Sequence, residues 1–591
     1  MLKTFLWTAA SALVIYYVFL VRPRLVTLSA PVFVTADRLK SSYDYVIVGG
    51  GTSGCVLASR LSEEPSTSVL LVEAAGLTNV WWSRVPYFAA HMRTEATVAR
   101  RYATLPEPGL GARAEPLVRG RGLGGSSQLG PALFARAPVV DHERWESVRE
   151  LAGWSVEEAL PHYNRMETVH FPAAGEGYRG DSGPLSVVQA RADKLTAAFE
   201  AVMTQYEIPL AGDYNVGDMG FSLAQENVLL SGQRQNTFEA YLLPNLHSRP
   251  NLNILLNTQA TKIVLSNENG AIRAIGVELK TGDSEKRTTV KTAKEVLVAA
   301  GPIESPKLLM LSGIGDAPHL QSNGIDTLVN LPQVGSNLKD NVVVSVPFDA
   351  VNASQNPPEH DWRTSPLDWA ANWWHYWSAG SGPLSRTGLR YTGSIYSMRS
   401  QHSGSPDMLF TVVDNSRLLP RQGPERKGGF GVQVALLQAN SSGSVRLNPR
   451  GVHLDPVIRT NLLQQPIDAL ILKYAYLSLD KLLSAKSLTA AYKRPAEEYE
   501  PKECAAASGE ANVDCLLQAT ALPTSNVVGT CAVGHDASDS VLDTEFRVHG
   551  VPNLRVVDAS SFPDQPAVDS AVYATVMFAE RCVALIRKQS E

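Results

Sequence analysis

The chain has 591 residues, of which 44% are hydrophobic and 19% charged, and a formal net charge of −5. This composition is typical of a large globular protein with more than one domain and excludes an intrinsically disordered chain. The small charge, with no basic run and no zinc-binding spacing, argues against nucleic-acid binding, and the sequence shows no metal-ligand cluster.

The first predicted element is an apolar segment, Phe5–Val21, which contains no charged residue and ends at Arg22. It is at the short limit for a bilayer span but longer than most signal-peptide cores. We therefore expect an N-terminal membrane segment, a signal anchor with its linker over residues 1–40, with a cleaved signal peptide as the alternative. This predicts a membrane-anchored protein of the endoplasmic reticulum or secretory pathway.

The sequence does not decide on which side of the membrane the catalytic part lies. Only Lys3 precedes the apolar segment, whereas four basic residues follow it between Arg22 and Lys40, which favours a cytosolic catalytic part. Two glycosylation sequons, at Asn352 and Asn440, favour a glycoprotein in the lumen instead.

Five cysteines are too few for a disulfide scaffold. Cys504 and Cys515 flank a short loop of small and acidic residues, so they either form a bridge in an oxidising compartment or remain two free thiols.

Next along the chain comes a strand–turn–helix–strand pattern that begins at Tyr43. A buried parallel strand, Tyr43–Val48, leads into the glycine-rich turn Gly49–Gly54, then a helical pattern, then a second strand that ends at Glu73. This order is the fingerprint of a dinucleotide-binding βαβ unit.

Each position of that turn has a predicted role. Gly49 permits the tight turn, Gly51 lets a pyrophosphate approach the backbone, and Gly54 lets helix and strand pack closely. Thr52 and Ser53 lie at the helix N-terminus, which offers free N–H groups to phosphates. Glu73 stands where a ribose-binding carboxylate is needed.

The segments that follow resemble, one after another, those of the glucose–methanol–choline (GMC) flavin oxidoreductases. The most specific is the fifteen-residue stretch Gly301–Gly315, similar position for position to a signature of that family. Further similar segments are Gly120–Ser127, Gly232–Thr237, Val334–Asp340 and Val556–Ser560.

The resemblance implies a bound FAD. No histidine occurs between Gly124 and Gly130, so we expect the cofactor to be held non-covalently. Beyond the glycine turn and Glu73, the cofactor-binding residues that the resemblance implies are Gly124, Gly125, Ser126, Ala260, Gly301, Asp558 and Ala559.

The resemblance also implies the fold class, a mixed α/β protein with two domains. The first is a Rossmann-like FAD-binding domain, discontinuous in sequence and assigned to residues 41–190, 225–345 and 520–591. The second is a substrate-binding domain with an antiparallel sheet, assigned to 191–224 and 346–519.

The catalytic end departs from the family pattern. In similar proteins a histidine precedes a Gly-Thr pair and accepts the hydroxyl proton, but here Asn526 occupies that position. Asparagine forms hydrogen bonds but accepts no proton at neutral pH. A second catalytic position falls on Asp569 or on Ser570, depending on the end from which the loop is counted.

Three functions follow from this departure. The first is oxidation of a CH–OH group with Asp569 as a replacement base, with O2 as a possible electron acceptor. The second is a non-redox reaction on the same FAD scaffold, such as cyclisation, dehydration, isomerisation or lyase chemistry. The third is an FAD-binding pseudoenzyme.

A tryptophan-rich stretch bears on the substrate. The aromatic residues between Trp362 and Trp377 could line an apolar channel, belong to the core or form a membrane-facing edge. Together with the predicted anchor, they favour an apolar small-molecule substrate, such as an intermediate of secondary-metabolite biosynthesis.

Overall fold

The computed structural model describes residues 30–77, 80–130, 132–172, 177–217, 220–268, 270–282, 286–351, 366–397, 400, 404–413, 429–489, 492–493, 501, 504, 509–568 and 570–590. The predicted anchor Phe5–Val21, the sequon at Asn352, Trp362 and Asp569 lie outside these residues. In the described part of the chain, no helix is both long and apolar enough to cross a bilayer.

The strands within the described residues are, in chain order, β1 (Ser42–Val48), β2 (Val69–Val72), β3 (Ala99–Ala103), β4 (Pro116–Gly120), β5 (Glu167–Val169), β6 (Leu185–Gln189), β7 (Gly220–Leu223), β8 (Gln225–Glu226), β9 (Leu252–Leu255), β10 (Thr258–Glu268), β11 (Ala271–Thr281), β12 (Arg287–Val298), β13 (Ile314–Gly315), β14 (Val329–Asn330), β15 (Val342–Ala350), β16 (Leu389–Ile395), β17 (Met408–Val413), β18 (Phe430–Leu436), β19 (Ser444–Arg446), β20 (Val457–Arg459), β21 (Tyr492–Lys493), β22 (Leu522–Pro523), β23 (Arg547–Val548) and β24 (Val551–Val556).

The α-helices within the same residues are α1 (Thr52–Leu61), α2 (Ala89–Met92), α3 (Val139–Glu143), α4 (Val156–Met166), α5 (Lys194–Gln205), α6 (Gly301–Leu311), α7 (Ala317–Ser322), α8 (Pro366–Ala379), α9 (Pro466–Leu483), α10 (Lys486–Thr489), α11 (Glu510–Thr520) and α12 (Val572–Ser590).

The first large sheet has the order β10-β11-β12-β1-β2-β9, with β24 alongside the second half of β12. β1 pairs in parallel with β2 and β12, and β24 pairs in parallel with β12. Strand β2 is buried along its whole length, as a parallel strand covered on both faces should be. Helices α1 and α12 pack together, and the ion pair between Arg60 and Glu580 (2.8 Å) joins them.

The second large sheet is antiparallel, with the order β21-β15-β18-β17-β16-β7 and β22 added to β15. Because side chains alternate along a strand, its two faces differ. Val342, Val344 and Val346 of β15 join the hydrophobic cluster formed with α5 and α9, whereas Val343 belongs to another cluster. One face of this sheet therefore packs into the core, and the face that carries Val343 lines a cavity between the two sheets.

These two sheets confirm the predicted mixed α/β fold with an antiparallel sheet. The predicted strands at Tyr43–Val48 and before Glu73 correspond to β1 and β2. The exact domain boundaries stay a prediction. Between the two alternatives for the cysteines, the structure contains the Cys504–Cys515 disulfide, with the Cα atoms 5.6 Å apart.

The aromatic stretch lies on helix α8 and serves two purposes. Trp373 and Tyr376 are buried against Val85 and Leu384. Trp369, Trp374 and Trp377 are exposed. None of these five aromatic side chains lines the cavity between the two large sheets. Trp373 and Tyr376 therefore belong to the core, which is one of the predicted alternatives.

Candidate active site

A cavity of about 1370 Å³ lies between the two large sheets. Its walls come from the ends of β1, β2 and β12 on one side and from β15 to β18 on the other. It is therefore large enough for a dinucleotide together with a small molecule.

The glycine-rich turn forms one end of this cavity. Gly49 has a φ of +105°, and a Cβ there would lie 2.4 Å from the Ala299 carbonyl oxygen. A Cβ on Gly54 would lie 1.8 Å from the Gly49 carbonyl oxygen, so only glycine fits both places. Gly49, Gly51, Thr52 and Ser53 line the cavity, while Gly54 packs helix α1 against the turn.

Glu73 lies at the end of β2, beside that turn. Its carboxylate accepts hydrogen bonds from the N–H groups of Gly50 (2.8 Å) and Ala75 (2.9 Å), and burial raises the pKa of its carboxyl group. It lines the cavity next to the helix α1 N-terminus. The position suits a carboxylate that accepts from a ribose hydroxyl.

A second turn, Gly120–Ser126, packs directly against the first. The Gly124 N–H donates to the Gly50 carbonyl (2.9 Å), and a Cβ on Gly125 would lie 2.7 Å from the Gly51 Cα. The Ser126 hydroxyl accepts from the Gly120 N–H (3.0 Å). Gly125 and Ser126 line the cavity, whereas Gly124 lies behind them against Asn236.

Asp558 links the last strand of the first sheet to the N-terminus of helix α6. Its carboxylate accepts from the Gly301 N–H (2.8 Å) and from the Ser305 hydroxyl (2.6 Å). Gly301, Asp558 and Ala559 line the cavity, as does Ala260 on β10. The described residues bring every predicted cofactor residue to this cavity or to the turns that form its wall.

Asn526 lies in the cavity wall at the junction of the two sheets. Its side-chain oxygen accepts from the Ala571 N–H (2.8 Å), and its backbone N–H donates to Asp340 (2.8 Å). The Nδ2 amide of Asn526 is buried and has no hydrogen-bond partner among the described residues. It is therefore a hydrogen-bond donor available to a bound molecule.

Ser570 lines the same cavity, one residue before the Ala571 N–H that Asn526 holds. The structure thus brings two of the three predicted catalytic residues, Asn526 and Ser570, to one wall. Asp569 lies outside the described residues, so its orientation stays a prediction. Ser570 supplies a hydroxyl that both donates and accepts.

Asp340 supports the segment that carries Asn526. Its buried carboxylate accepts from the Thr524 hydroxyl (2.9 Å) as well as from the N–H groups of Ser525 (3.1 Å) and Asn526. Burial raises the pKa of Asp340 to about 6, against the lowering effect of these hydrogen bonds. The carboxylate fixes the backbone of the asparagine.

Two arginines and several sheet residues of the wall were not predicted. Arg93 donates to the Thr524 carbonyl (3.3 Å) and Arg119 to the Ser525 carbonyl (2.6 Å). The antiparallel sheet adds a wall formed by Val343, Leu389, Val413, Gln433 and Leu522. No local motif marks these positions, because strand pairing over long sequence separations brings them together. The sequence signal that could have found them is the alternation of side chains within each strand, which shows that they share one face of the sheet.

The chain belongs to the GMC oxidoreductase family. The family's N-terminal model matches residues 43–343, and its C-terminal model matches residues 439–579. The protein is therefore an FAD-dependent oxidoreductase of this family, as the resemblance implied.

Curated relatives cover nearly the whole chain. An oxygen-dependent choline dehydrogenase from Rhizobium etli is 32% identical over 527 residues, which are 88% of this chain and 91% of the relative. A protein of the same description from Escherichia coli is 30% identical over 566 residues, covering 93% and 96% of the two chains.

Solved structures share the fold. Pyridoxine 4-oxidase from Mesorbium loti superposes with a TM-score of 0.79 at 24% identity, covering 92% of this chain and 99% of that one. A variant of formate oxidase from Aspergillus oryzae RIB40 superposes with a TM-score of 0.83 at 22% identity, covering 93% and 98%.

Proposed function

We propose that this protein oxidises a CH–OH group of an apolar small molecule to a carbonyl. The observation that carries the proposal is the buried, unpaired Asn526 Nδ2 amide, in the same cavity wall as Ser570. A hydrogen-bond donor fixed in this way orients the oxygen atom of a substrate bound in the cavity.

The cofactor would be held without a covalent link by the two glycine turns, Gly49–Gly54 and Gly120–Ser126, with Glu73 on the ribose. Ala260, Gly301, Asp558 and Ala559 would complete its surroundings. A Cβ on Gly49, Gly54 or Gly125 would clash with backbone, so the two turns pack closely, and Gly51 presents its backbone to the cavity, where a pyrophosphate could approach it. When bound, FAD supplies a hydride acceptor, and O2 is our proposed final electron acceptor.

The protein's own residues hold the alcohol and remove its proton. The Asn526 amide donates to the hydroxyl oxygen, and the Ser570 hydroxyl donates to or accepts from the same group. The hydroxyl proton leaves to a base, for which we retain Asp569, because Asn526 accepts no proton at neutral pH. Carbonyl formation then balances the loss of one hydride and one proton.

The apolar character of the substrate is supported by the second wall of the cavity. Val343, Leu389, Val413 and Leu522 present aliphatic side chains there. A wall of this kind favours an aliphatic or aromatic body over a charged one, because burying an unpaired charge is costly. We place the reaction in the modification of a secondary-metabolite intermediate.

Anaerobic mixing tests the proposal. Primary and secondary apolar alcohols should bleach the oxidised-flavin absorbance, and readmission of oxygen should restore it with release of hydrogen peroxide. If a substrate is converted while the flavin stays oxidised and no peroxide forms, oxidation is excluded.

A non-redox reaction on the same scaffold is the second candidate. The observation in its favour is the replacement of the expected proton-accepting histidine by Asn526, which can polarise a carbonyl or hydroxyl but cannot deprotonate it. In that case Asp569 would act as the general acid or base, and the same experiment would show turnover without bleaching.

We further propose that the Phe5–Val21 segment anchors the protein in the endoplasmic reticulum membrane or elsewhere in the secretory pathway. Its uncharged composition and the Cys504–Cys515 bridge support this. Release of the full chain from membranes by alkaline carbonate would contradict an anchor. Glycosylation at Asn440 or Asn352 would place the catalytic part in the lumen.

A further inference from the structure

Among the described residues of the antiparallel sheet that line the cavity, one, Gln433, is polar. Strand β18 alternates: Phe430, Val432 and Val434 belong to the core cluster against α5 and α9. Gln433 points the other way and lines the cavity. Strand pairing on both sides of β18 fixes the position of this amide in the cavity wall.

The neighbours of Gln433 follow from the register. Gln433 lies directly opposite Ser345 of β15 and Thr411 of β17. The side chains of Ser345 and Thr411 therefore lie on the same face of the sheet as Gln433. Val343 and Val413 also lie on this face, each two residues further along its strand. The centre of the wall is a short polar row, and its margins are aliphatic.

Strand pairing relates this row to the segment that leads to Asn526. Leu522 of β22 pairs with Val343 of β15, and Asn526 follows β22 after two residues. Gln433 is on β18, two strands away from β22. Two strand spacings amount to about 10 Å.

From this placement we infer that Gln433 is a specificity-determining residue that binds a second, neutral hydrogen-bonding group of the substrate. The inference rests on the proposed oxidation and deepens it. The substrate class is an alcohol with an apolar body and a distal hydroxyl, carbonyl or amide. When this distal group is bound to Gln433, it lies about 10 Å from strand β22, which precedes Asn526 in the chain.

The chemistry of an amide supports a neutral partner. Glutamine both donates and accepts hydrogen bonds, so it pairs with a hydroxyl, carbonyl or amide equally well. The described sheet residues that line this wall carry no charge, so neither a quaternary ammonium nor a carboxylate finds a counter-ion there. Mostly apolar walls with one placed polar group are typical of selective small-molecule sites.

Cinnamyl alcohol and 4-hydroxycinnamyl alcohol form a suitable probe pair, because they differ only in a hydroxyl at the far end of a rigid apolar body. Each is titrated anaerobically into the full-length holoenzyme, and Kd is read from the change in the flavin spectrum or from bleaching. kcat/KM is measured alongside. We expect the wild type to prefer the hydroxylated alcohol by about tenfold or more, which corresponds to one hydrogen bond.

Gln433→Met keeps the length of the side chain and removes the amide, so the preference should fall to about one. Leu436→Met, an aliphatic exchange on the core-facing side of strand β18, is the matched control and should keep the wild-type preference. Wild-type protein without a preference for the hydroxylated alcohol, or Gln433→Met with an unchanged preference, overturns the inference. A preference in Kd without flavin bleaching contradicts the proposed oxidation alone.

Discussion

Asn526 has two separable duties at the scale of a single side chain. Its oxygen holds the Ala571 N–H, while its Nδ2 amide is unpaired in the cavity wall. Asn526→Asp keeps the acceptor and removes the donor, whereas Asn526→Ala removes both. We expect each change to slow flavin reduction by about 10²-fold or more, because a preorganised donor is lost.

Rapid mixing with an alcohol substrate under anaerobic conditions measures that rate. Thermal unfolding separates the duties: Asn526→Asp should remain nearer the wild-type melting temperature than Asn526→Ala. An Asn526→Asp variant that reduces its flavin at the wild-type rate would show that the amide donates nothing to the reaction.

Gly54 admits no side chain. A Cβ would lie 1.8 Å from the Gly49 carbonyl oxygen, and backbone cannot move aside as a flexible side chain does. Gly54→Ala should therefore displace helix α1 from the turn and lower the FAD content of the purified protein by about tenfold or more. Gly451→Ala is the control, because its Cβ would meet only the Leu454 side chain at 3.5 Å. Equal flavin content in the two variants contradicts the predicted role.

At the scale of elements, the loop that leads from β24 to α12 is fixed by hydrogen bonds from side chains of other elements. Asp141 of α3 accepts from the Ala567 N–H (2.7 Å), and the Asn341 amide donates to the Val568 carbonyl (2.8 Å). The loop also forms an exposed ion pair between Asp564 and Arg149 (2.7 Å). The loop carrying Ser570 is therefore positioned by its neighbours.

Asp141→Ala should loosen this loop and leave the buried Ala567 N–H unpaired, at a cost of about 1–3 kcal/mol in unfolding free energy. Flavin reduction should slow as well, because Ser570 loses its fixed position. Arg149→Ala removes only an exposed pair and should change stability by about 0.5 kcal/mol or less. Melting temperatures and single-turnover rates are measured for both variants. Equal effects of the two substitutions would contradict the proposed role of the buried hydrogen bond between Asp141 and the Ala567 N–H.

At the scale of the whole molecule, buried carboxyl groups make stability depend on pH. Burial raises the pKa of Asp340 from 3.8 to about 6, so the folded protein keeps this proton to a higher pH than the unfolded chain. The protonated Asp340 therefore contributes to the unfolding free energy in full below the pKa of the unfolded chain, 3.8. This contribution is lost as pH rises towards the pKa of the folded protein, about 6.

Asp340→Asn cannot ionise and lacks this dependence. Over the window from about pH 4 to about pH 7, the unfolding free energy of the variant should therefore rise relative to the wild type by about 3 kcal/mol. Paired thermal melts at several pH values provide the measurement. A difference between the two proteins that stays constant across the window would contradict the raised pKa.

The sequence predicts the cofactor end of the fold well and the substrate end poorly. Gly49, Gly54 and Glu73 lie within one local βαβ unit, so short-range patterns reveal them. The wall with Gln433 depends on pairing between β15, β17 and β18, and the contact from Asp141 to Ala567 joins positions 426 residues apart. Such contacts arise only from the assembled chain, which leaves no local signal for them.

The interleaving of the first sheet has a consequence for synthesis on the ribosome. Gly301 and Asp558, which are hydrogen-bonded across the cavity wall, are 257 positions apart, and β24 joins β12 only after the whole antiparallel sheet has been translated. The nascent chain must keep the edge of β12 unpaired during that time, although unpaired strand edges favour aggregation. Cofactor loading is therefore a late event, and flavin supply during expression should govern soluble yield.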